Sequence, residues 1–209
     1  MPYKQLKKQQ MLSAARRLFT EYGFEKTTMQ KIADEAGVGV ATVFRYFPKK
    51  ELLIIEVVKE VIEEMVPRFE AISESTQSGY DKMDAILDAY INYISSANRD
   101  AIILLESFEY YIAYNPMEEP LTEEIYQTYT KVERIIDQAI QDGIQDGSIS
   151  LSSTEQMNAT TILNLFGTAI KKHAFNSLLS NVIVPIPTKE QLLQLKSMLL
   201  LYLKNASRH

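Results

Sequence analysis

Thr42, Arg45 and Tyr46, with Lys49 and Lys50 directly behind, lie in the stretch GVGVATVFRYFPKKEL, residues 37–52. Each of these side chains donates hydrogen bonds, and three of the five are cationic. Such a set suits a polyanion: the planar fork of an arginine can donate to guanine O6 and N7 together, while hydroxyl and ammonium groups meet phosphate oxygens. Gly37, Gly39 and Pro48 leave room between them for only about two helical turns. On that short helix Val43 and Phe47 lie over one another, while Ala41 with Arg45 and Thr42 with Tyr46 line the opposite side. The spacing predicts an apolar inner face and a thin outer face lined with donors.

The elements that hold this helix are legible upstream. Met11, Ala14, Ala15, Leu18, Phe19 and Tyr22 recur at three- and four-residue spacing, and Gly23 ends the helix they define. In KTTMQKIADEAG, Thr27 and Thr28 are start signals, Ile32, Ala33 and Ala36 form an inner stripe, and Gly37 is a stop. Helices two and three are joined by only a few residues around Gly37, Val38 and Gly39, the spacing of a helix-turn-helix. Such a unit lays its second helix in the major groove of DNA. Ala41, Thr42, Arg45 and Tyr46 are therefore expected to face double-stranded DNA. Arg45 is the candidate base reader, and Thr42, Tyr46 and Lys50 are candidate phosphate donors. Thr28 can offer a further phosphate its hydroxyl and the amides of a helix end.

Charge supports a nucleic-acid partner once it is divided along the chain. The 209 residues carry a net charge of −5. Residues 1–50 hold ten Lys/Arg against four Asp/Glu, and residues 51–209 hold twelve against twenty-three. A basic head on an acidic body suits a protein that grips a polyanion at one end. The absence of cysteine excludes disulfides and zinc-thiolate sites and fits a cytoplasmic location. Apolar runs such as AIILL and MLLLYL fall far short of the roughly 20 residues a membrane helix needs, so no membrane partner is expected.

From about Met11 to Val58 the chain resembles the tetracycline-repressor (TetR) family of bacterial regulators, through AARRLFTEYGFEKTTMQKIADEAGV and then TVFRYFPKKELL. The resemblance implies a three-helix DNA-binding domain on a larger helical body. That body would dimerise through its last two helices and hold an effector pocket. Carried over by position, Val40, Ala41 and Arg45 match positions that approach bases, with Gln30 a possible addition. Thr28, Thr42, Tyr46 and Lys50 match phosphate-contacting positions. The helical wheel alone puts Val40 on the core side with Val43, so its role stays open. Gly39 stands where the family usually has a Ser or Thr cap, and Phe44 where many members have Tyr.

Only helical periodicity appears in the rest, so the fold class is all-α: a helix-turn-helix domain over 1–48 and an effector-binding and dimerisation domain over 49–209. An amphipathic run from Lys49 through Phe69 meets Pro67, which should kink or end it. Further helices are expected near 80–97, 100–114, 119–145, 154–179 and 188–205, the last two separated by SNVIVPIPT. Aromatic residues concentrate at Phe108, Tyr110, Tyr111, Tyr114, Tyr126 and Tyr129 and are expected to wall a small-molecule pocket. Glu106 and Glu109, about 60° apart on the wheel, are either a solvated face or a pair of acids suited to a cationic effector. Met157, Thr161, Phe166, Ala169 and Leu178, with Leu192, Leu195, Met198, Leu199 and Tyr202, offer more apolar surface than one helical hairpin can expose. A homodimer built on a two-fold four-helix bundle covers it, and such a dimer reads an inverted repeat.

No catalytic set is visible: cysteine is absent, no phosphate-cradling Gly loop occurs, and no second histidine or acid stands at metal-ligand spacing from His173. An enzyme, a cofactor and a metal are accordingly not expected. The expected function is a transcriptional regulator, a repressor released from its operator by a small-molecule effector. The rival is a helical ligand-binding or adaptor protein without sequence-specific DNA binding, which leaves the basic head without a role.

Overall fold

Gly23 breaks the first long helix as its position suggests, with φ of 79° and ψ of 167°, a conformation open to glycine and costly for other residues. The computed structural model describes residues 3–95, 98–151, 159–175 and 187–205. Among them only helices occur: α1 Tyr3–Lys26, α2 Met29–Glu35, α3 Val40–Tyr46, α4 Lys50–Glu63, α5 Val66–Ser73, α6 Gly79–Ser95, α7 Arg99–Tyr114, α8 Glu119–Asp146, α9 Ala159–Phe175 and α10 Lys189–Asn205. The chain is therefore all-α, with a helix-turn-helix near its N-terminus. The run from Lys49 ends at Glu63, four residues before Pro67, as expected of a proline that offers that carbonyl no N–H, and a new helix opens at Val66. Pro67 itself sits in the first turn of α5, where its missing N–H needs no partner.

The helices group into two compact units, Met1–Glu64 with Ile103–Thr128 and Met65–Ile102 with Tyr129–His209. In the first, the α1 stripe Met11, Leu12, Ala14, Ala15, Leu18 and Phe19 is buried with Ile32, Ala33, Val43 and Phe47. Each large side chain so buried contributes about 1.5–3 kcal/mol. Helix α4 joins this unit through Leu53, Ile54, Val57, Val58 and Val61, all buried. Ion pairs Lys8–Glu56 (2.6 Å) and Arg16–Glu64 tie α4 to α1. The end of α1 reaches α7: the Phe24 ring lies 6.2 Å from Phe108 and 5.4 Å from Tyr111.

The second unit is fastened differently. Glycines meet where α6 begins: a Cβ built at Gly79 falls 2.6 Å from the Ala139 carbonyl and closer still to the backbone of Gly143. The first amides of α6 are capped from the far end of α8, Gly79 N–H by Asp146 (2.8 Å) and Tyr80 N–H by the Ser148 hydroxyl (3.0 Å). Two nearly buried lysines are paired, Lys82 with Asp142 at 2.6 Å and Lys196 with Asp84 at 2.7 Å and Asp88 at 2.6 Å.

The stripes expected to face a second copy divide. Phe166, Leu192 and Leu199 are buried within the chain itself, whereas Met198 and Tyr202 point outward with Leu165, Leu193 and Leu201. Leu195 and Ala169 are half-buried and Thr161 is exposed. Met157 and Leu178 lie outside the described residues. The division has a plain cause: α10 packs on α6 as well as α9, so part of its apolar surface is used internally.

Candidate nucleic-acid interface

The turn between α2 and α3 is built from few residues with few choices. Thr27 is fully buried and its hydroxyl donates to the carbonyls of Leu18 (3.2 Å) and Gly23 (2.8 Å), which fixes the entry to α2. Thr28, next in line, is left outside as the N-cap, its hydroxyl accepting from Lys31 N–H at 3.2 Å. Gly37 ends the turn after α2 with φ of 65°. Gly39 is the N-cap of α3 and supplies no side-chain bond, so only its carbonyl, accepting from Thr42 N–H at 2.8 Å, starts the helix.

Within α3 the two faces separate. Val43 and Phe47 are buried, Ala41, Phe44 and Arg45 are exposed, and Val40, Thr42 and Tyr46 are half-buried. Val40 therefore stands at the border of the faces, consistent with both readings of it. Gln30 is exposed on α2, its amide donating to Asp34 Oδ1 at 2.7 Å. The Tyr46 hydroxyl donates to the Lys4 carbonyl at 3.3 Å, and the Arg45 guanidinium lies 6.0 Å from the Tyr46 ring. Lys50, half-buried at the start of α4, has its pKa pushed down by burial, against the pull of Glu51 and Glu25. A phosphate alongside would oppose that shift.

Much of the basic head is compensated locally. Lys8, Arg16, Arg17 and Lys49 pair with Glu56, Glu64, Glu35 and Glu118. Among the described residues Lys4, Lys7, Lys26, Lys31, Arg45 and Lys50 make no ion pair, and they carry the positive charge still available to a ligand. The Lys49–Glu118 pair, at 2.6 Å, and the Lys59–Glu124 pair, at 2.9 Å, clamp α4 to the start of α8. Sequence reading missed both clamps, because partners 69 and 65 residues apart leave no local periodicity. Phe44 stands where many members of the resembled family have Tyr. In the structure its ring stands 47% exposed beside Arg45.

The residues expected to wall an effector pocket differ in their exposure. Phe108 is buried against Phe24, with Tyr111 half-buried on the same ring. Glu106 is half-buried with Oε2 enclosed. Tyr110, Tyr114 and Tyr126, at 62%, 82% and 62% exposure, and Glu109 point outward from this chain. Tyr129 belongs to the second unit, half-buried near Tyr90, whose phenol is held up by burial first and by Tyr129 second. His173 faces the Pro187 carbonyl at 2.6 Å. Among the described residues no group of three His, Cys, Asp or Glu is placed to hold a metal, and no helix is long and apolar enough to cross a membrane.

Residues 11–57 match the family model for bacterial regulatory proteins of the tetR family. A helix-turn-helix-type transcriptional regulator of Staphylococcus aureus is 30% identical over 86 residues, 41% of this chain and 46% of the relative. The match thus spans about half the length of the curated relatives. The fold is similar to that of the transcriptional regulator FadR from Bacillus subtilis in complex with stearoyl-CoA, with a TM-score of 0.67, 19% identity and coverage of 94% of this chain and 97% of the other. It is also similar to a TetR transcription regulator from Haloarcula marismortui, with a TM-score of 0.71, 20% identity and coverage of 95% and 97%. The helix pair, its outward donor row and the family-model match over residues 11–57 agree: this segment is similar to the DNA-binding segment of bacterial regulatory proteins of the tetR family.

Proposed function

We propose that this chain is a DNA-binding transcriptional regulator that occupies its operator as a homodimer and is released by a small-molecule effector. Residues 1–48 form the DNA-binding domain in this reading, and residues 49–209 the effector-binding and dimerisation domain. The observation that carries it is the outward face of α2 and α3, where Thr28, Ala41 and Arg45 stand exposed with Thr42 and Tyr46 beside them and Lys50 behind. Arg45 reads a base, Val40 and Ala41 let the helix approach, and Thr28, Thr42, Tyr46 and Lys50 hold phosphates, with Gln30 at the edge. The outward apolar residues of α9 and α10, including Leu165, Leu193 and Met198, supply the surface that a second copy covers. A dimer on promoter DNA blocks access without further parts, which makes repression the simplest mode.

Release needs a ligand that binds two arrangements of the protein unequally. Helix α4 is the natural lever, since it starts at Lys50 and is held to the start of α8 by Lys49–Glu118 and Lys59–Glu124. Phe108 and Tyr111, which face inward with Glu106 on the same helix, bias the effector toward apolar, aromatic or cationic molecules. The test is binding of the full chain to random duplex at low and moderate salt, followed by thermal-shift screening of hydrophobic cations and neutral aromatics. Steep loss of DNA affinity with salt supports the reading, and salt-independent binding or none removes it. An effector that stabilises the protein without weakening DNA binding removes the release mechanism alone.

A further inference from the structure

The first turns of α1 precede the segment that matches the family, which begins at residue 11. Their charge is inverted for a helix start. The first turn contains no acidic residue, and Lys4 stands where the aligned peptide dipoles already leave positive partial charge, with Lys7 and Lys8 one turn further on. Lys8 is engaged by Glu56, and Lys7 lies 4.6 Å from the Tyr3 ring. Lys4 is exposed and makes no ion pair among the described residues. It is also anchored beside α3, because the Tyr46 hydroxyl donates to its carbonyl at 3.3 Å across 42 positions of sequence.

We propose that Lys4 forms a further phosphate-binding site for duplex DNA, adjoining the Tyr46 end of the recognition helix. The proposal rests on the DNA-binding reading of α2 and α3 and extends its footprint to a part of the chain that the helix-turn-helix does not include. Reach decides whether it is possible. A phosphate oxygen bonded to the Tyr46 hydroxyl lies about 2.7 Å from it. The Lys4 carbonyl oxygen is 3.3 Å from the same hydroxyl. The phosphate is then no more than about 8 Å from the Lys4 Cα, counting the carbonyl's own bonds. A lysine ammonium on its four-carbon stem reaches about 6 Å and bonds an oxygen roughly 2.8 Å beyond, so Lys4 covers that distance. The positive end of α1 adds to the attraction, and an anion there relieves the repulsion among Lys4, Lys7 and the helix end.

The experiment measures affinity of the full-length chain for a 30-base-pair random-sequence duplex across roughly 50 to 200 mM salt, where each phosphate contact contributes about 0.9 to the log–log slope. The proteins are the parent, Lys4→Gln, Lys4→Arg, Lys50→Gln and, as a remote control, Lys172→Gln. Lys4→Gln is expected to lower the slope by about 0.9 per subunit, with Lys4→Arg and Lys172→Gln keeping the parent value. A parent slope in Lys4→Gln, with Lys50→Gln reduced, overturns the Lys4 site and leaves the DNA-binding reading standing. A lower melting temperature in Lys4→Gln, with affinity reduced equally at every salt concentration, assigns the residue to folding and also overturns it. A parent that binds without salt dependence removes the DNA-binding reading itself.

Discussion

Helix α3 and the second half of α7 have similar compositions, each mixing aromatic rings with donors, yet only one of them has a pattern that dictates orientation. In α3, two turns held between Gly39 and Pro48 admit a single solution: Val43 and Phe47 go in, and Ala41 and Arg45 come out. In α7, sixteen residues are apolar on most sides, and the period alone does not choose among them. The choice is made by Phe24 at the end of α1, whose ring takes Phe108 and Tyr111 and leaves Tyr110 and Tyr114 outside. A short element between two breakers can be oriented from sequence, whereas a long apolar one waits for its neighbours.

The sharpest way to test that contrast is within α7 itself. Phe108→Ala should cost about 3–5 kcal/mol, because it empties a site buried against Phe24. Tyr114→Ala should stay within about 0.5 kcal/mol in the isolated chain, as for most exposed positions. Chemical denaturation of both variants checks the pair, and equal losses would show that the two rings are not differently placed. Next in size is Gly79→Ala, expected to cost about 3 kcal/mol or more, since the new methyl meets the Gly143 backbone rather than a yielding side chain. An unchanged melting temperature would mean that α6 and α8 do not meet there.

Acid should weaken the second unit through the same junction. Hydrogen bonds from Lys82 first, and Gln138 second, hold the Asp142 carboxyl below its ordinary range, and the Ser148 and Gly79 donors do the same for Asp146. A folded pKa below the unfolded value of about 3.9 gives stability that is present above that pH and is lost as pH falls through the folded value. The melting temperature should therefore drop below about pH 4, and Asp142→Asn should flatten that drop. An identical pH profile in Asp142→Asn would exclude the linkage. Smallest is Thr28→Ala, which removes the α2 cap and should cost about 1 kcal/mol of stability. Equal unfolding midpoints for Thr28→Ala and the parent would show that the cap does not contribute.

What was legible in the sequence follows the same division. Stops at Gly23 and Gly37, the inner pair Val43 and Phe47, and the ends of α7 and α8 to within a residue or so were readable because glycine, proline and local periodicity fix them. Three kinds of information were not local. Pro67 ends the run from Lys49 as expected, but that it also opens the next helix at Val66 is one of them, because proline is accommodated in a first turn. The facing of α9 and α10 depended on α6, which buries Phe166, Leu192 and Leu199 inside the chain together with them. The anchoring of Lys4 to Tyr46, and of Lys49 to Glu118, joins residues whose relation only the tertiary structure creates.

The outward face of α3 carries the central claim, and selection of bound fragments from a random duplex library tests it most directly. The parent should enrich a two-fold-symmetric site whose half-sites are centred about one helical turn, or a multiple of one, apart. Arg45→Ala should cost roughly 1–3 kcal/mol on that site and relax preference at one base position in each half, leaving the rest of the motif intact. No enrichment by the parent, or the same motif and affinity from Arg45→Ala, would contradict the account.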